Sequence, residues 1–121
     1  PEVWRGAHAA FLDRLVQARV AAVVADYDGT LCDEARRFEP LSSEIAEQLT
    51  RLLRLGLPIG VATGRGQSVR KQLQRAIPKE LWNLVIVGYY NGSDIGLLSE
   101  NDRPDNAEMP LAPLKPVAEL L

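Results

Sequence analysis

A chain of 121 residues, 46% hydrophobic and 25% charged, has room for one domain with a core of its own. A net charge of −2 and the lack of any basic block exclude nucleic acid as the main partner, and no run is apolar and long enough to cross a membrane. The single cysteine, Cys32, cannot close an internal disulfide, which fits a cytoplasmic protein, and the single histidine, His8, leaves no material for a His-based zinc site or a Ser-His-Asp triad.

In chain order, Trp4, Ala7, Phe11, Leu12, Leu15 and Val16 recur at helical spacing opposite Arg5, Asp13, Arg14 and Gln17. This predicts an amphipathic helix with Trp4 and Phe11 in the core and His8 at its boundary. Residues 20–25 form an unbroken apolar run, as in a parallel strand buried on both faces, and it ends in Asp26-Tyr27-Asp28-Gly29-Thr30. Residues 27–39 have no period; a connection of that length points to a functional loop, with Asp33, Glu34, Arg36 and Arg37 either facing substrate or simply solvated. A second helix follows Pro40, with Ser42 as N-cap, Leu41, Ile45, Ala46, Leu49, Leu52 and Leu53 on its apolar face, and Gly56 at its end.

Residues 57–62 read as a second short strand, ending in Thr63-Gly64-Arg65-Gly66 ahead of a helix over 67–76. Strand, Thr-Gly turn, helix is an arrangement that aims backbone amides at an anion. Arg65 either contacts substrate or pairs with Asp28, Asp33 or Glu34, and Lys71 is solvated. Ile77-Pro78 stops the helix, Leu81-Trp82 form a cover, and residues 84–87 are a third buried strand. Asn91-Gly92 signals a hairpin, because both residues accept positive φ, so residues 93–98 should fold back as a short strand. From Glu100 onward Pro and acidic residues predominate, which suits a linker, and Pro116 could open another helix.

The chemistry gathers at the end of the first strand. Alternation along an extended backbone puts Asp26 and Asp28 on one side and Tyr27 on the other. Two carboxylates that close repel, so either one takes up a proton or a cation sits beside them. Gly29 permits a sharp turn with uncovered amides, and Thr30 adds a hydroxyl. Anionic oxygens for a hard cation beside donors for an anion are what a phosphate ester with Mg²⁺ requires.

Asp26-Tyr27-Asp28-Gly29-Thr30 resembles the first signature of the haloacid dehalogenase (HAD) superfamily, Asp-x-Asp-Gly-Thr. Thr63, one βα unit later, is similar to the second motif, a strand followed by Ser or Thr. The resemblance covers about residues 20–98 and two of the four family motifs; Lys115 is a weak counterpart of the third, and Asp102 and Asp105 lie in a linker rather than after a strand as the fourth requires. Asn91-Gly92 also resembles the turn after the third strand in the branch with a large α/β cap, which includes trehalose- and sucrose-phosphate phosphatases. Tyr90 stands where that branch has an acidic residue, and Ser93 where it has alanine.

The resemblance implies an α/β fold, a three-layer Rossmann-like parallel sheet incomplete at the C-terminus, with a short hairpin after the third strand. Residues 1–99 would be the core and 100–121 a linker, or the start of a cap or a further helix. It implies a Mg²⁺-dependent phosphomonoester hydrolase acting through an aspartyl-phosphate on a sugar phosphate or similar small metabolite. Asp26 and Asp28 would be catalytic and hold the metal, Gly29, Thr30, Thr63, Gly64 and Arg65 would bind phosphate, and Arg65 and Asn91 would meet the substrate. The two strands that flank the first one in the family have no candidates here, so the isolated 121 residues should be inactive, with the sheet completed by a C-terminal half or by another chain. The rival expectations are a non-catalytic module binding phosphate or metal weakly, and a phosphotransferase or phosphomutase of the same fold.

Overall fold

The computed structural model describes residues 1–100. Asp102, Asp105, Lys115 and the helix start at 116–121 lie outside the described residues. Three parallel strands, β1 (Val23–Asp26), β2 (Ile59–Ala62) and β3 (Val85–Tyr89), and an antiparallel β4 (Asp94–Leu97) form one sheet in the order β1-β2-β3-β4. The register sets Val23 beside Ile59 and Ile59 beside Val85, so the carboxyl ends of the parallel strands share one rim. A further helix, α1 (Glu2–Gln17), precedes β1.

Each parallel connection carries a helix: α2 (Ser43–Arg54) between β1 and β2, and α3 (Gln67–Ala76) between β2 and β3. Local chemistry sets their limits. Ser42 Oγ accepts from the Ile45 amide at 3.3 Å, an N-cap bond, and Gly56 takes φ +83° just past the end of α2. Pro78 follows the end of α3 at Ile77, where a helix cannot continue. Leu49 and Leu53 of α2 and Val69 and Leu73 of α3 share one core with Ile59, Val61, Val85 and Val87. Both helices therefore cover the same face of the sheet, and each aliphatic side chain buried there stabilises the fold by about 1.5–3 kcal/mol. Leu81, in a 3-10 segment over Lys79–Leu84, closes the end of that core.

The opposite face is uncovered among the described residues, where Val24, Ile86 and Ile95 are exposed. Two of the three expected layers are thus present there. Among the described residues β1 is not buried on both faces as its apolar run suggests: Val24 is 77% exposed, because there β1 has a neighbour on one side only and no helix over its outer face. The core placement of Trp4 and Phe11 is also corrected. α1 forms, but none of its residues is buried, and Trp4 and Phe11 are 74% and 53% exposed. Its apolar stripe has no surface to meet among the described residues. No helix of the described residues is long and apolar enough to cross a membrane.

Candidate active site

Asp26 ends β1 opposite Ala62, the last residue of β2, and the Tyr27 amide donates to the Ala62 carbonyl at 2.9 Å. The next residue of the second strand's chain is Thr63, so the two predicted motifs leave the sheet side by side at its carboxyl rim, where open α/β sheets bind ligands. The Asp26 side chain faces solvent and makes no hydrogen bond or ion pair among the described residues, whereas Tyr27 is fully buried. The predicted alternation holds from Asp26 to Tyr27; β1 ends at Asp26, and the Asp28 side chain turns to Arg65.

After Tyr27 the chain turns on itself. The Tyr27 carbonyl accepts from the amides of Leu31 and Cys32 at 3.0 and 2.9 Å, and the Gly29 amide donates to the Cys32 carbonyl at 2.7 Å. Gly29 takes φ +83°, a left-handed conformation that glycine adopts at little cost. A single 3-10 turn follows over Glu34–Arg36, with Asp33 Oδ1 accepting from the Ala35 amide at 3.0 Å. Asp33, Glu34, Arg36 and Arg37 are all exposed. Gly29 and Thr30 also border a cleft of about 660 Å³ beneath this loop, a cleft whose walls include none of Asp26, Asp28 and Thr63.

Arg65 organises the centre of the site. Its guanidinium meets both oxygens of Asp28, with Nη2 at 3.0 Å from Oδ1 and Nε at 3.3 Å from Oδ2. Its Nη1 donates to the Arg37 carbonyl at 2.7 Å, and the group lies over the Tyr27 ring at 5.1 Å. Of the two roles open to Arg65 in the sequence, pairing with an acid is the one present, and the acid is Asp28. Thr63 is 3% exposed and its Oγ1 accepts from the Arg65 amide at 3.0 Å, an ST-turn that holds the residue at the start of the bend.

The turn after β3 braces this bend from the other side. The Asn91 amide donates to the Thr63 carbonyl at 3.0 Å, and the Tyr90 amide to the Arg65 carbonyl at 3.3 Å. Tyr90, Asn91 and Gly92 all have positive φ, of 50°, 58° and 88°, so the hairpin connection uses one more left-handed residue than Asn-Gly alone requires. A side chain on Gly64 would crowd Asn91 Oδ1, and one on Gly66 would overlap the Tyr90 hydroxyl. Asn91 thus sits against Gly64, and Tyr90, which sequence reasoning left without a role, covers Gly66.

Burial pushes the Tyr27 hydroxyl up to about 12, with the neighbouring Cys32 and Asp28 adding to the rise and Arg65 opposing it. Burial likewise pushes the Cys32 thiol up, so it stays protonated, in contact with the carbonyls of Asp33 and Arg36. That is the behaviour of a packing residue rather than a nucleophile.

The oxygens available here suit a hard cation in kind: the Asp26 carboxylate, unpartnered among the described residues, and the main-chain carbonyl of Asp28 would hold Mg²⁺, which commonly takes few protein ligands and keeps water and phosphate oxygens. No cluster of three His, Cys, Asp or Glu side chains able to hold a metal occurs among the described residues, and the Asp28 side chain is engaged by Arg65. Gln72, buried on α3, also contacts this region and carried no signal in the sequence beyond being a polar residue on an apolar helical face.

No family model matches the chain, and no curated protein matches it. Two solved structures from Bacteroides thetaiotaomicron are similar to it. One is a haloacid dehalogenase-like hydrolase, 24% identical, with a TM-score of 0.56 over 84% of this chain and 36% of its own. The other is described among phosphatases of the haloalkanoate (HAD) enzyme superfamily, 23% identical, with a TM-score of 0.57 over 84% of this chain and 34% of its own. The chain spans about a third of the length of these structures. Its four-stranded sheet, with two helices on one face and acids at the end of the first strand, has the fold of the haloacid dehalogenase-like hydrolases.

Proposed function

We propose that this chain carries the nucleophile half of a Mg²⁺-dependent phosphomonoester hydrolase acting on a sugar phosphate or similar small metabolite. The observation that supports it best is the Asp26 carboxylate at the rim, without a partner among the described residues and two residues from an acid held by the arginine of the neighbouring Thr-Gly-Arg bend. In this reading an Asp26 oxygen attacks phosphorus, forming an aspartyl-phosphate as the ester P–O bond breaks. The leaving oxygen takes a proton from Asp28. Water then attacks phosphorus, Asp28 takes its proton back, and Asp26 is released with inorganic phosphate. Bound at Asp26 and the Asp28 carbonyl, Mg²⁺ would screen the approach of one anion to another.

Amides near Gly29, Thr30 and Gly64 and the Thr63 hydroxyl would hold the phosphoryl oxygens, and Asn91 would approach the substrate beside Gly64. Arg65 has to be shared. Its guanidinium is occupied by Asp28, and a phosphate dianion arriving at the rim would draw it away, leaving Asp28 free to carry the proton. Replacement of Asp26 by Asn keeps the shape and removes the nucleophile. In the full-length protein, turnover of p-nitrophenyl phosphate with Mg²⁺ should then fall below detection, and retained activity would refute the assignment.

A specific observation supports a second reading, a non-catalytic module that binds phosphate or metal weakly or has its sheet completed by another polypeptide. The described residues lack a third acidic metal ligand, and the β1 edge and outer sheet face stand uncovered among them. Robust turnover by the 121 residues alone would exclude it. Product analysis with an alcohol or sugar acceptor would separate hydrolysis from transfer by a phosphotransferase or phosphomutase.

A further inference from the structure

Gln72 is fully enclosed in an apolar setting, on the α3 face that also presents Val69 and Leu73 to the core. A buried amide is costly unless both its ends are bonded. Both ends are. Its Oε1 accepts from the Tyr27 hydroxyl, and its Nε2 donates to the Arg37 carbonyl at 3.2 Å. The orientation of the amide is therefore fixed, since turning it over would set its oxygen against the Arg37 carbonyl, which can only accept.

The Arg37 carbonyl also accepts from Arg65 Nη1 at 2.7 Å, and Arg65 holds both oxygens of Asp28. Asp28 adjoins Tyr27 in the chain. The contacts thus close a ring: Tyr27 hydroxyl, Gln72 amide, Arg37 carbonyl, Arg65 guanidinium, Asp28 carboxylate, and back along the backbone to Tyr27. Each link but the last joins residues 28 to 45 apart in sequence. Apart from Gln72, every member stands on the loop after β1 or the bend after β2. Gln72 is the member on a helix.

We infer that Gln72 is a positioning residue for Asp28: by fixing the Arg37 carbonyl it fixes one edge of the Arg65 guanidinium, and so the edge that remains for Asp28. The role given to Asp28 rests on the phosphohydrolase reading above; the placement of Gln72 does not. The alternative is that Gln72 serves only as the core partner of the Tyr27 hydroxyl.

Three variants of the protein separate these: Gln72→Leu, Tyr27→Phe and the double variant. Each single change strands one buried polar group and should lower Tm, while the double removes both partners and should recover most of the loss. If Gln72 positions the loop, amide hydrogen exchange over 33–39 should rise several-fold in Gln72→Leu and stay raised in the double variant, but not in Tyr27→Phe, where the bond to Arg37 survives. In the full-length protein the kcat for p-nitrophenyl phosphate should fall about 10-fold in Gln72→Leu and in the double variant with little change in KM, as for loss of a group supporting a reacting residue. Recovery of loop protection and kcat together with Tm in the double variant would overturn the inference, and so would a loop as mobile in Tyr27→Phe as in Gln72→Leu. If the full-length protein turns over no phosphate ester, the phosphohydrolase reading fails, and the exchange pattern alone decides the placement of Gln72.

Discussion

Titration of Tyr27 gives a prediction that depends on folding alone. Its hydroxyl is buried and donates to Gln72, so the neutral form is the one the fold accepts, and its pKa rises from 10.0 to about 12. With the folded value above the unfolded one, the native state keeps a proton that the unfolded state has lost between those two values, and stability must fall as pH rises. The contribution is complete below about pH 10 and gone above about pH 12. A rise of that size corresponds to roughly 3 kcal/mol. Urea denaturation at steps between pH 9 and 12 should show this decline in the unaltered protein and a flatter one in Tyr27→Phe. Cys32 and the other tyrosines are common to both proteins and cancel in the difference. The tyrosinate absorbance difference between the two should rise late, near pH 12, or only with unfolding. A transition near pH 10 in the folded protein, or equal slopes for the two, would show that Tyr27 reaches solvent and that its bond to Gln72 does not hold.

Two further substitutions test the frame around the site. Leu73→Ala empties a fully buried position between α3 and the sheet and should cost about 2–5 kcal/mol, read as a lower urea midpoint with an unchanged m-value. Gly66→Ala would set a Cβ into the Tyr90 hydroxyl and the ring carbon that bears it, so it should destabilise the protein by about 1–3 kcal/mol. Adding Tyr90→Ala should restore part of that loss, and a single Gly66→Ala variant with unchanged Tm would mean that Tyr90 does not cover the bend.

What the sequence made legible is what short-range chemistry determines. The α3 limits, 67–76, follow from the Gly-rich bend before it and Ile77-Pro78 after it, and the structure agrees to the residue. Ser42 and Gly56 identify the ends of α2 for the same reason. Asn91-Gly92 forecast the reversal into β4, although Tyr90 joins them at positive φ, which a motif of two residues does not predict. Burial was less legible. The run before Asp26 and the stripe of Trp4 and Phe11 are apolar enough for a core, yet apolarity states only that a surface could be covered. Covering needs a second element, and among the described residues none reaches α1 or the outer face of β1.

The candidate site divides along the same line. Asp26, Asp28 and Thr63 are legible because their chemistry is written in consecutive residues: carboxylates in alternation, then glycine and a hydroxyl. The partners that orient them are not, because each bond spans the sheet or the loop above it. Arg65 reaches Asp28 across 37 positions, and Gln72 reaches Tyr27 across 45. One signal of the second kind was nonetheless present. A glutamine at position 72 interrupts the apolar spacing of Val69, Leu73 and Ala76, and a helix rarely carries an amide into its core unless something there needs both a donor and an acceptor. Tyr27, between two acids and forced inward by the alternation that turns Asp26 outward, supplies the hydroxyl. The chain that follows it supplies the carbonyl. The same alternation that places Asp26 on the solvent side therefore also buries the group that ties the loop of Asp28 to α3.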